Sequence, residues 1–254
     1  MSLEISDQIV LVSGGGRGFG AAIVRAFARQ GARVVINYRK SEDAAEALAH
    51  ELGDRAIAVQ ADVRDAASVK EMIAHVTSKF GAPTTVVHNA LADYSFNGDA
   101  RDTLETLSST SLSAQHETAV NGALNLIQAT SAGMGASGFG RIITIGSNLV
   151  QNPVVPYHDY TSAKAALMAL TRTAAAELGP KGITVNMISG GLLRTTDASA
   201  ATPDAVFDII ASSTPLRSVT TPEEAADAVL FFASPWSRAV TGQNLIVDGG
   251  LVFG

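Results

Sequence analysis

The stretch Ser13-Gly14-Gly15-Gly16-Arg17-Gly18-Phe19-Gly20 decides the fold of this 254-residue chain. We refer to it as the glycine-rich turn. It follows an apolar, β-branched run at 8–12 and opens an Ala-rich helical pattern at 18–30. Residues without a Cβ let a backbone turn sharply and approach a pyrophosphate, and the N-terminus of the following helix offers free N–H groups to that anion. Between a strand and a helix at the start of an α/β chain, such a turn predicts a dinucleotide site, with a flexible loop that binds nothing as the alternative.

The remaining chain alternates between strand-like and helix-like patterns. Further strands are predicted at 33–37, 56–60, 84–88, 141–145, 183–188 and 244–247, and further helices at 42–52, 66–80, 112–132, 159–178 and 222–233. Short apolar strands separated by helices predict a parallel sheet covered on both faces, and right-handed crossovers make that sheet doubly wound. The predicted fold class is therefore α/β, a single-domain doubly wound parallel sheet (Rossmann fold) of about seven strands with helices on both faces. No linker or repeat interrupts the pattern, so 1–254 is predicted to be one dinucleotide-binding and catalytic domain.

Two segments break this alternation. One is the polar stretch 91–113, and the other is 192–215, which follows a Gly-Gly pair and holds one apolar patch at 206–210. Long connections in a compact domain are often lids or binding loops. We therefore predict a lid at 192–215 and a functional loop after the fourth strand.

Composition narrows the classes of function. The chain has 18 Lys and Arg against 24 Asp and Glu, a net charge of −6, 46% hydrophobic residues and no Cys. The absence of Cys excludes disulfides, thiolate nucleophiles and Cys-ligated metals, and we predict no metal site. The acidic balance argues against a nucleic-acid partner. No apolar run approaches the roughly 18 residues of a membrane span, and no secretory signal is visible. We expect a cytoplasmic protein that acts on a small molecule, with neither nucleic acid nor membrane as a partner.

Charges after the second strand indicate which dinucleotide is bound. Asn37-Tyr38-Arg39-Lys40-Ser41 contains two cations and no acidic residue before Glu42, and Arg17 lies in the glycine-rich turn. A ribose 2′-hydroxyl is usually held by a carboxylate at this place, whereas a 2′-phosphate favours the guanidinium of Arg. The pattern favours NADP(H) over NAD(H). Ordinary solvated charges at a helix start are the alternative.

A second constellation carries the chemistry. Tyr160 and Lys164 stand at i and i+4 of a predicted helix and so share one face. Ser147 follows the fifth predicted strand, at the rim where this architecture binds ligands. To exchange a proton readily near pH 7, a Tyr phenol needs its pKa lowered by about 3 units, which corresponds to about 4 kcal/mol. An ammonium about 4 Å away supplies roughly this energy at an effective dielectric of 20. We therefore predict that Lys164 lowers the pKa of Tyr160. A chance pairing on a surface helix is the alternative.

These motifs resemble those of the short-chain dehydrogenases/reductases, over nearly the whole chain. The glycine-rich turn looks like the family's Thr-Gly-x3-Gly-x-Gly pattern, with Ser for Thr. Asp62-Val63 resembles its adenine contact, and Asn89-Ala90 matches the centre of its Asn-Asn-Ala-Gly signature. The stretch from Asn186 to Thr195 and the tail 241–250 also look familial. Within the family, the chain is most similar to the 3-oxoacyl-acyl-carrier-protein reductases.

The resemblance implies roles for individual residues. The catalytic residues would be Ser147, Tyr160 and Lys164. With the charge pattern, the cofactor-binding residues would be Ser13, Gly14, Arg17, Gly18, Phe19, Gly20, Tyr38, Arg39, Lys40, Ser41, Asp62, Val63, Asn89, Ala90, Tyr160, Lys164, Gly191, Leu193 and Thr195. Family members are usually dimers or tetramers, so a homodimer or homotetramer is expected.

The chain departs from the family at several positions. His88 and Leu91 replace the outer Asn and Gly of the signature. We interpret His88 as a hydrogen-bonded structural residue, with a catalytic role as the alternative. Counting back from the Ser147 strand puts Ala119 where the family has an Asn whose carbonyl holds a relay water and whose side chain supports a helix bend. By the same count, the segment 91–118 is about six residues longer than the corresponding segment of the acyl-carrier reductases. This insertion contains Tyr94 and Phe96 and is expected to line or cover the substrate cleft.

Together these features predict an NADPH-dependent carbonyl reductase. Ser147 would bind the carbonyl oxygen, Tyr160 would act as general acid, and Lys164 would hold the cofactor ribose. No Lys or Arg occurs from 102 to 140. Because an acidic carrier protein would dock on cations, a substrate bound to such a carrier is not expected to be preferred. One alternative is an enoyl reductase that uses Tyr157, seven residues before Lys164. The other is a non-catalytic NADP(H)-binding sensor, which is favoured by Ala119, Leu91 and Gly190, the last in place of the family's Pro.

Overall fold

One parallel sheet forms the centre of the molecule in the computed structural model, which describes residues 2–92, 94–194 and 196–253. Within those ranges, seven strands lie in the order β3-β2-β1-β4-β5-β6-β7, and every neighbouring pair is parallel. They are β1 (Ile9–Ser13), β2 (Arg33–Tyr38), β3 (Ala56–Gln60), β4 (Thr85–His88), β5 (Gly140–Ser147), β6 (Ile183–Gly190) and β7 (Asn244–Val247). The strand order reverses between β1 and β4, the point at which such sheets bind ligands at their carboxyl ends.

Helices cover both faces of the sheet. They are α1 (Gly18–Arg29), α2 (Glu42–Leu52), α3 (Ala66–Lys79), α4 (Ser109–His116), α5 (Gly122–Ser137), α6 (His158–Leu178), α7 (Asp204–Ser213) and α8 (Pro222–Ala233). Alternate residues of β1 enter different cores: Val10 and Val12 pack with α1, α2 and α8, whereas Ile9 and Leu11 pack with α3, α5 and α6. The two cores confirm the predicted doubly wound α/β class. No helix within the described residues has the length and apolar character needed to cross a membrane.

The structure differs from the predicted elements in three places. β5 and β6 run on to Ser147 and Gly190, which pair with each other. The helix predicted at 112–132 begins at Ser109 and is interrupted by a π-helical turn, Glu117–Asn121, between α4 and α5. Segment 192–215 contains a full helix, α7, where only an apolar patch was predicted.

Candidate active site

Ser147, Tyr160 and Lys164 meet at the carboxyl end of β5. Ser147 ends that strand, and the other two lie one turn apart on α6, which packs against β5 and β6. All three residues are buried, with relative exposures of 5%, 7% and 3%. The Ser147 hydroxyl lowers the pKa of the Tyr160 phenol, and Lys164 Nζ lies 5.6 Å from the centroid of the Tyr160 ring. The predicted trio is therefore brought together.

The prediction that Lys164 lowers the pKa of Tyr160 is wrong for this structure. Burial raises the pKa of Tyr160 to about 12, and the Ser147 hydroxyl opposes this rise only in part. The ammonium is directed to the backbone instead, since Nζ donates to the carbonyl of Ile145 at 2.7 Å. Burial lowers the pKa of Lys164 to about 8. At neutral pH the site thus holds a neutral phenol next to a mostly cationic lysine.

His88 connects the glycine-rich turn to the π-helical turn. Its Nδ1 lies 3.1 Å from the Ser13 hydroxyl, and its Nε2 lies 3.0 Å from the carbonyl oxygen of Ala119. The Ser13 oxygen accepts from the backbone N–H groups of Asn89 and Ala90, each at 3.0 Å, so its own proton is free for His88. Nδ1 therefore accepts and Nε2–H donates. Burial, reinforced by the nearby Lys164 charge, lowers the pKa of His88 to about 4 and keeps it neutral. The structural interpretation of His88 fits these contacts.

The glycine-rich turn has the shape that a pyrophosphate requires. Gly14 and Gly18 have φ values of +62° and +53°, and a Cβ at Gly20 would overlap the carbonyl of Gly14. No side chain among the described residues caps the N-terminus of α1, so its first backbone N–H groups have no side-chain partner. The Asn89 amide donates to the carbonyls of Ser13 and Gly14 at 3.2 and 3.1 Å and holds the turn in place. Ser13 itself is fully buried and acts on the shape of the turn. This cradle fits a dinucleotide.

The predicted nucleotide-side cations lie at the carboxyl end of β2. Arg39 and Lys40 directly follow the strand, and Ser41 precedes α2. Tyr38 is buried, and its hydroxyl donates to Glu42 at 3.3 Å. Positive charge is therefore concentrated where a 2′-phosphate binds in this fold.

Two other predicted cofactor residues are engaged in ion pairs. Arg17 pairs with Asp197 of the 192–215 segment at 3.2 Å, and both side chains are more than half exposed. Asp62 accepts from Arg64 Nε at 2.9 Å, and this contact holds the pKa of the Asp62 carboxyl below its usual value. An exposed pair is weak and exchangeable, so Arg17 can reach a phosphate only by leaving Asp197.

Neighbouring side chains that the sequence did not single out support the remaining predicted residues. The Asn125 amide donates to the carbonyl of Val63 at 2.8 Å. The Asn148 amide donates to Asp248 at 2.9 Å, beside Gly191, where a Cβ would lie 3.0 Å from the Asp248 Cβ. In the sequence, the tail motif 241–250 pointed to Asp248, whereas no motif pointed to Asn125 or Asn148. Of the other predicted positions, Phe19 and Leu193 are at least partly buried, and Thr195 lies outside the described residues.

Aromatic rings of the 91–118 segment, which was predicted to be an insertion, lie against Tyr160. The Tyr94 ring stacks on it with a centroid distance of 5.3 Å, and the Phe96 ring meets it edge-on at 5.2 Å. Tyr157 contacts both of these rings edge-on. The structure thus places the two predicted aromatic residues over the candidate site.

The fold and this site define a class of protein. A family model described as "Enoyl-(Acyl carrier protein) reductase" matches residues 14–252, and the chain belongs to the short-chain dehydrogenases/reductases. It is 34% identical over 251 residues to the 3-oxoacyl-(acyl-carrier-protein) reductase FabG of Staphylococcus epidermidis, covering 96% of this chain and 99% of that protein. A 3-oxoacyl-(acyl-carrier-protein) reductase of Synechocystis sp. is also 34% identical, over 98% of both chains. The crystal structure of a gluconate 5-dehydrogenase from Burkholderia cenocepacia, in complex with NADP and tartrate, has a TM-score of 0.88 and 30% identity, with 98% and 96% coverage.

Proposed function

We propose that this chain is an NADPH-dependent carbonyl reductase in which 1–254 form a single catalytic domain. The observation that carries this proposal is the buried cluster of Ser147, Tyr160 and Lys164 at the carboxyl end of the sheet. Bound NADPH supplies a hydride to the carbonyl carbon. The carbonyl oxygen takes a proton from the protein, so a ketone and NADPH with one proton give an alcohol and NADP⁺.

Each residue of the cluster has a distinct task in this reduction. The Ser147 hydroxyl donates a hydrogen bond to the carbonyl oxygen and orients it. Tyr160 keeps its proton at neutral pH, because burial raises its pKa to about 12, and it donates that proton as charge develops on the oxygen. The ammonium of Lys164 stabilises the phenolate left behind and binds the ribose hydroxyls. Alignment of donor, carbonyl and phenol would supply most of the acceleration.

NADP(H) is the proposed cofactor, in preference to NAD(H). The cations Arg39 and Lys40 after β2 support this choice, as does the NADP bound in the Burkholderia relative. Comparing kcat/KM for NADPH and NADH in the wild-type protein and in Arg39→Ala tests it. We expect the variant to lose activity with NADPH far more than with NADH, because only NADPH carries the 2′-phosphate. Equal losses would contradict the assignment.

Enoyl reduction is the second candidate, because the matching family model is named for that activity. In that reaction Tyr157 would take the place of Tyr160. The structure favours Tyr160, since Tyr160 lies beside Ser147 and Lys164. Burial raises the pKa of Tyr157, and the charges that act on it are those of Arg101 and Asp99. The two tyrosines therefore face different surroundings and can be tested separately.

Oxidation of NADPH, followed by absorbance with a 3-oxoacyl thioester, a 2-enoyl thioester and simple ketones, tests the proposal. At saturating NADPH, Tyr160→Phe is expected to lower ketone turnover at least about a hundredfold, because the phenol proton is lost. Tyr157→Phe is the matched control and should retain most of the activity. Preferred turnover of the enoyl thioester would establish the second candidate. Tight NADPH binding without turnover of any substrate would instead favour the sensor.

Assembly and location are further parts of the proposal. We expect a homodimer or homotetramer acting on a small molecule in the cytoplasm, as for other family members. Light scattering coupled to size exclusion measures the oligomeric state directly. A monomer at micromolar concentration would contradict this expectation.

A further inference from the structure

Four aromatic rings form one cluster at the catalytic tyrosine. The Tyr94 and Tyr160 rings are nearly parallel, at 20°, whereas the Phe96 ring stands at 86° to that of Tyr160. Tyr157 closes the cluster, with ring centroids 5.8 Å from Tyr94 and 5.6 Å from Phe96. These distances lie in the range at which aromatic pairs attract each other. The rings therefore support one another in a defined position.

Phe96 joins the insertion to the predicted lid. Its backbone N–H donates to the carbonyl of Ala198 at 2.9 Å, and its carbonyl accepts from the Thr202 hydroxyl at 3.0 Å. A capping box between Thr196 and Ser199 orders the lid at this point. Both backbone groups of Phe96 are thus satisfied by the lid, and we refer to 94–97 with 196–202 as the cover. The cover holds the Phe96 ring against Tyr160 from outside.

Tyr94 is fixed from the opposite side of the cluster. Its hydroxyl donates to Asp159 Oδ1 at 3.3 Å, and the same oxygen accepts from the backbone N–H of Tyr160 at 2.7 Å. Burial and the Asp159 charge raise the pKa of Tyr94, so the phenol stays neutral. The Tyr94 ring is therefore anchored to the same helix start that carries Tyr160.

Charge on the neighbouring segment disfavours a large acidic partner. Positions 102–140 contain no Lys or Arg and include Asp102, Glu105 and Glu117, all exposed. A carrier protein with an acidic surface needs cations at its docking site. A substrate that arrives free, not tethered to such a carrier, meets no such obstacle.

We propose that Tyr94 and Phe96 are specificity-determining residues that select compact ketones bearing a flat ring, and that they disfavour long acyl chains. The Tyr94 and Tyr160 centroids are only 5.3 Å apart, so a substrate does not fit between these rings without displacing one of them. A flat ring replaces the lost ring–ring contact with a stacking contact of its own. A flexible chain would have to separate the rings and would lose rotamer freedom on binding. This inference rests on the proposed carbonyl reduction.

The test compares two substrates in the NADPH assay: 1-phenyl-1,2-propanedione as the ring-bearing ketone and the 3-oxodecanoyl thioester of N-acetylcysteamine as the acyl chain. Wild-type protein should have the higher kcat/KM for the diketone. Tyr94→Ala and Phe96→Ala should each lower kcat/KM for the diketone by about two- to tenfold, the range expected for one aromatic contact, and raise it for the thioester. Tyr94→Phe keeps the ring, and Phe253→Ala removes an 83% exposed ring elsewhere. Both controls should keep the wild-type preference.

Three outcomes would overturn the inference while leaving the proposed function intact. These are a wild-type preference for the thioester, equal changes for both substrates in the alanine variants, and a shifted preference in Phe253→Ala. Phe96→Leu keeps the volume without the ring and replaces Phe96→Ala if that variant does not fold. If no ketone oxidises NADPH, the proposed function fails. Calorimetry of diketone binding to the wild-type protein and to Phe96→Leu then tests whether the rings form a ligand site. Equal affinities of the two proteins would reject a ligand site at the rings.

Discussion

His88 makes the stability of the folded chain depend on pH in a defined way. Burial and the Lys164 charge lower the pKa of its imidazole from 6.5 to about 4. The folded chain therefore keeps His88 neutral at pH 5, whereas the unfolded chain protonates it. The stabilising contribution is complete above the unfolded pKa and is lost as the pH falls toward 4, because the unfolded state binds the extra proton. From the two pKa values, this loss is about 2 kcal/mol between pH 7 and pH 5 and about 3 kcal/mol by pH 4.

Urea unfolding of the wild-type chain and of His88→Asn at pH 7, 6 and 5 measures this contribution. Asn does not titrate in this range, so the wild-type chain should lose about 2 kcal/mol more unfolding free energy than the variant between pH 7 and pH 5. His75→Asn, which removes an exposed imidazole, controls for the loss of one histidine. Parallel losses in the wild-type chain and His88→Asn would refute a buried neutral imidazole at this position.

Three further predictions concern the cofactor and the acid. Gly20→Ala should weaken NADPH binding, measured by fluorescence, at least about tenfold, because the new Cβ would overlap the Gly14 carbonyl. The control is Gly179→Ala, whose Cβ would have no neighbour within 4 Å, and it should bind NADPH normally. Asp197→Asn frees Arg17 from its exposed ion pair and should tighten NADPH binding by about two- to fivefold at low salt; unchanged binding would mean that Arg17 does not meet the cofactor. The kcat/KM for reduction should fall as the pH rises through about 8, because the free protein loses the Lys164 proton there. A kcat/KM that stays constant up to pH 10 would contradict a requirement for the Lys164 proton.

Local sequence patterns were sufficient for the fold because each strand and helix is marked by its own residues. The apolar runs of β1, β2 and β4 are almost wholly buried, and that of the edge strand β3 is partly buried. The ends of all four strands lie within about one residue of those predicted. The ends of β5 and β6 escaped prediction because small and polar residues such as Gly146 and Ser189 interrupt the apolar pattern there. Pairing between the strands carries both through to Ser147 and Gly190. That pairing is a tertiary effect that no local pattern encodes.

The positions of the site residues were predictable, but their electrostatics were not. Helical spacing placed Tyr160 and Lys164 on one face of α6 as expected. The pKa of Tyr160 depends on how completely the surrounding chain buries it, and that of Lys164 on burial beside the Ile145 carbonyl. These neighbours come from β5 and the 91–118 segment, which are distant in sequence. The pKa of Tyr160 was therefore predicted in the wrong direction, even though helical spacing placed both residues on one face of α6.

Ala119 lies where the helix departs from α geometry, in the π-helical turn Glu117–Asn121. The Ala119 carbonyl is held there by His88 Nε2, which reaches it from β4 at 3.0 Å. Gly122 leaves the room this contact needs, since a Cβ at that position would lie 3.1 Å from His88 Cε1 and 2.9 Å from Val63 Cγ2. A contact from the sheet therefore holds this turn and links it, through His88, to the hydroxyl of Ser13 below the glycine-rich turn.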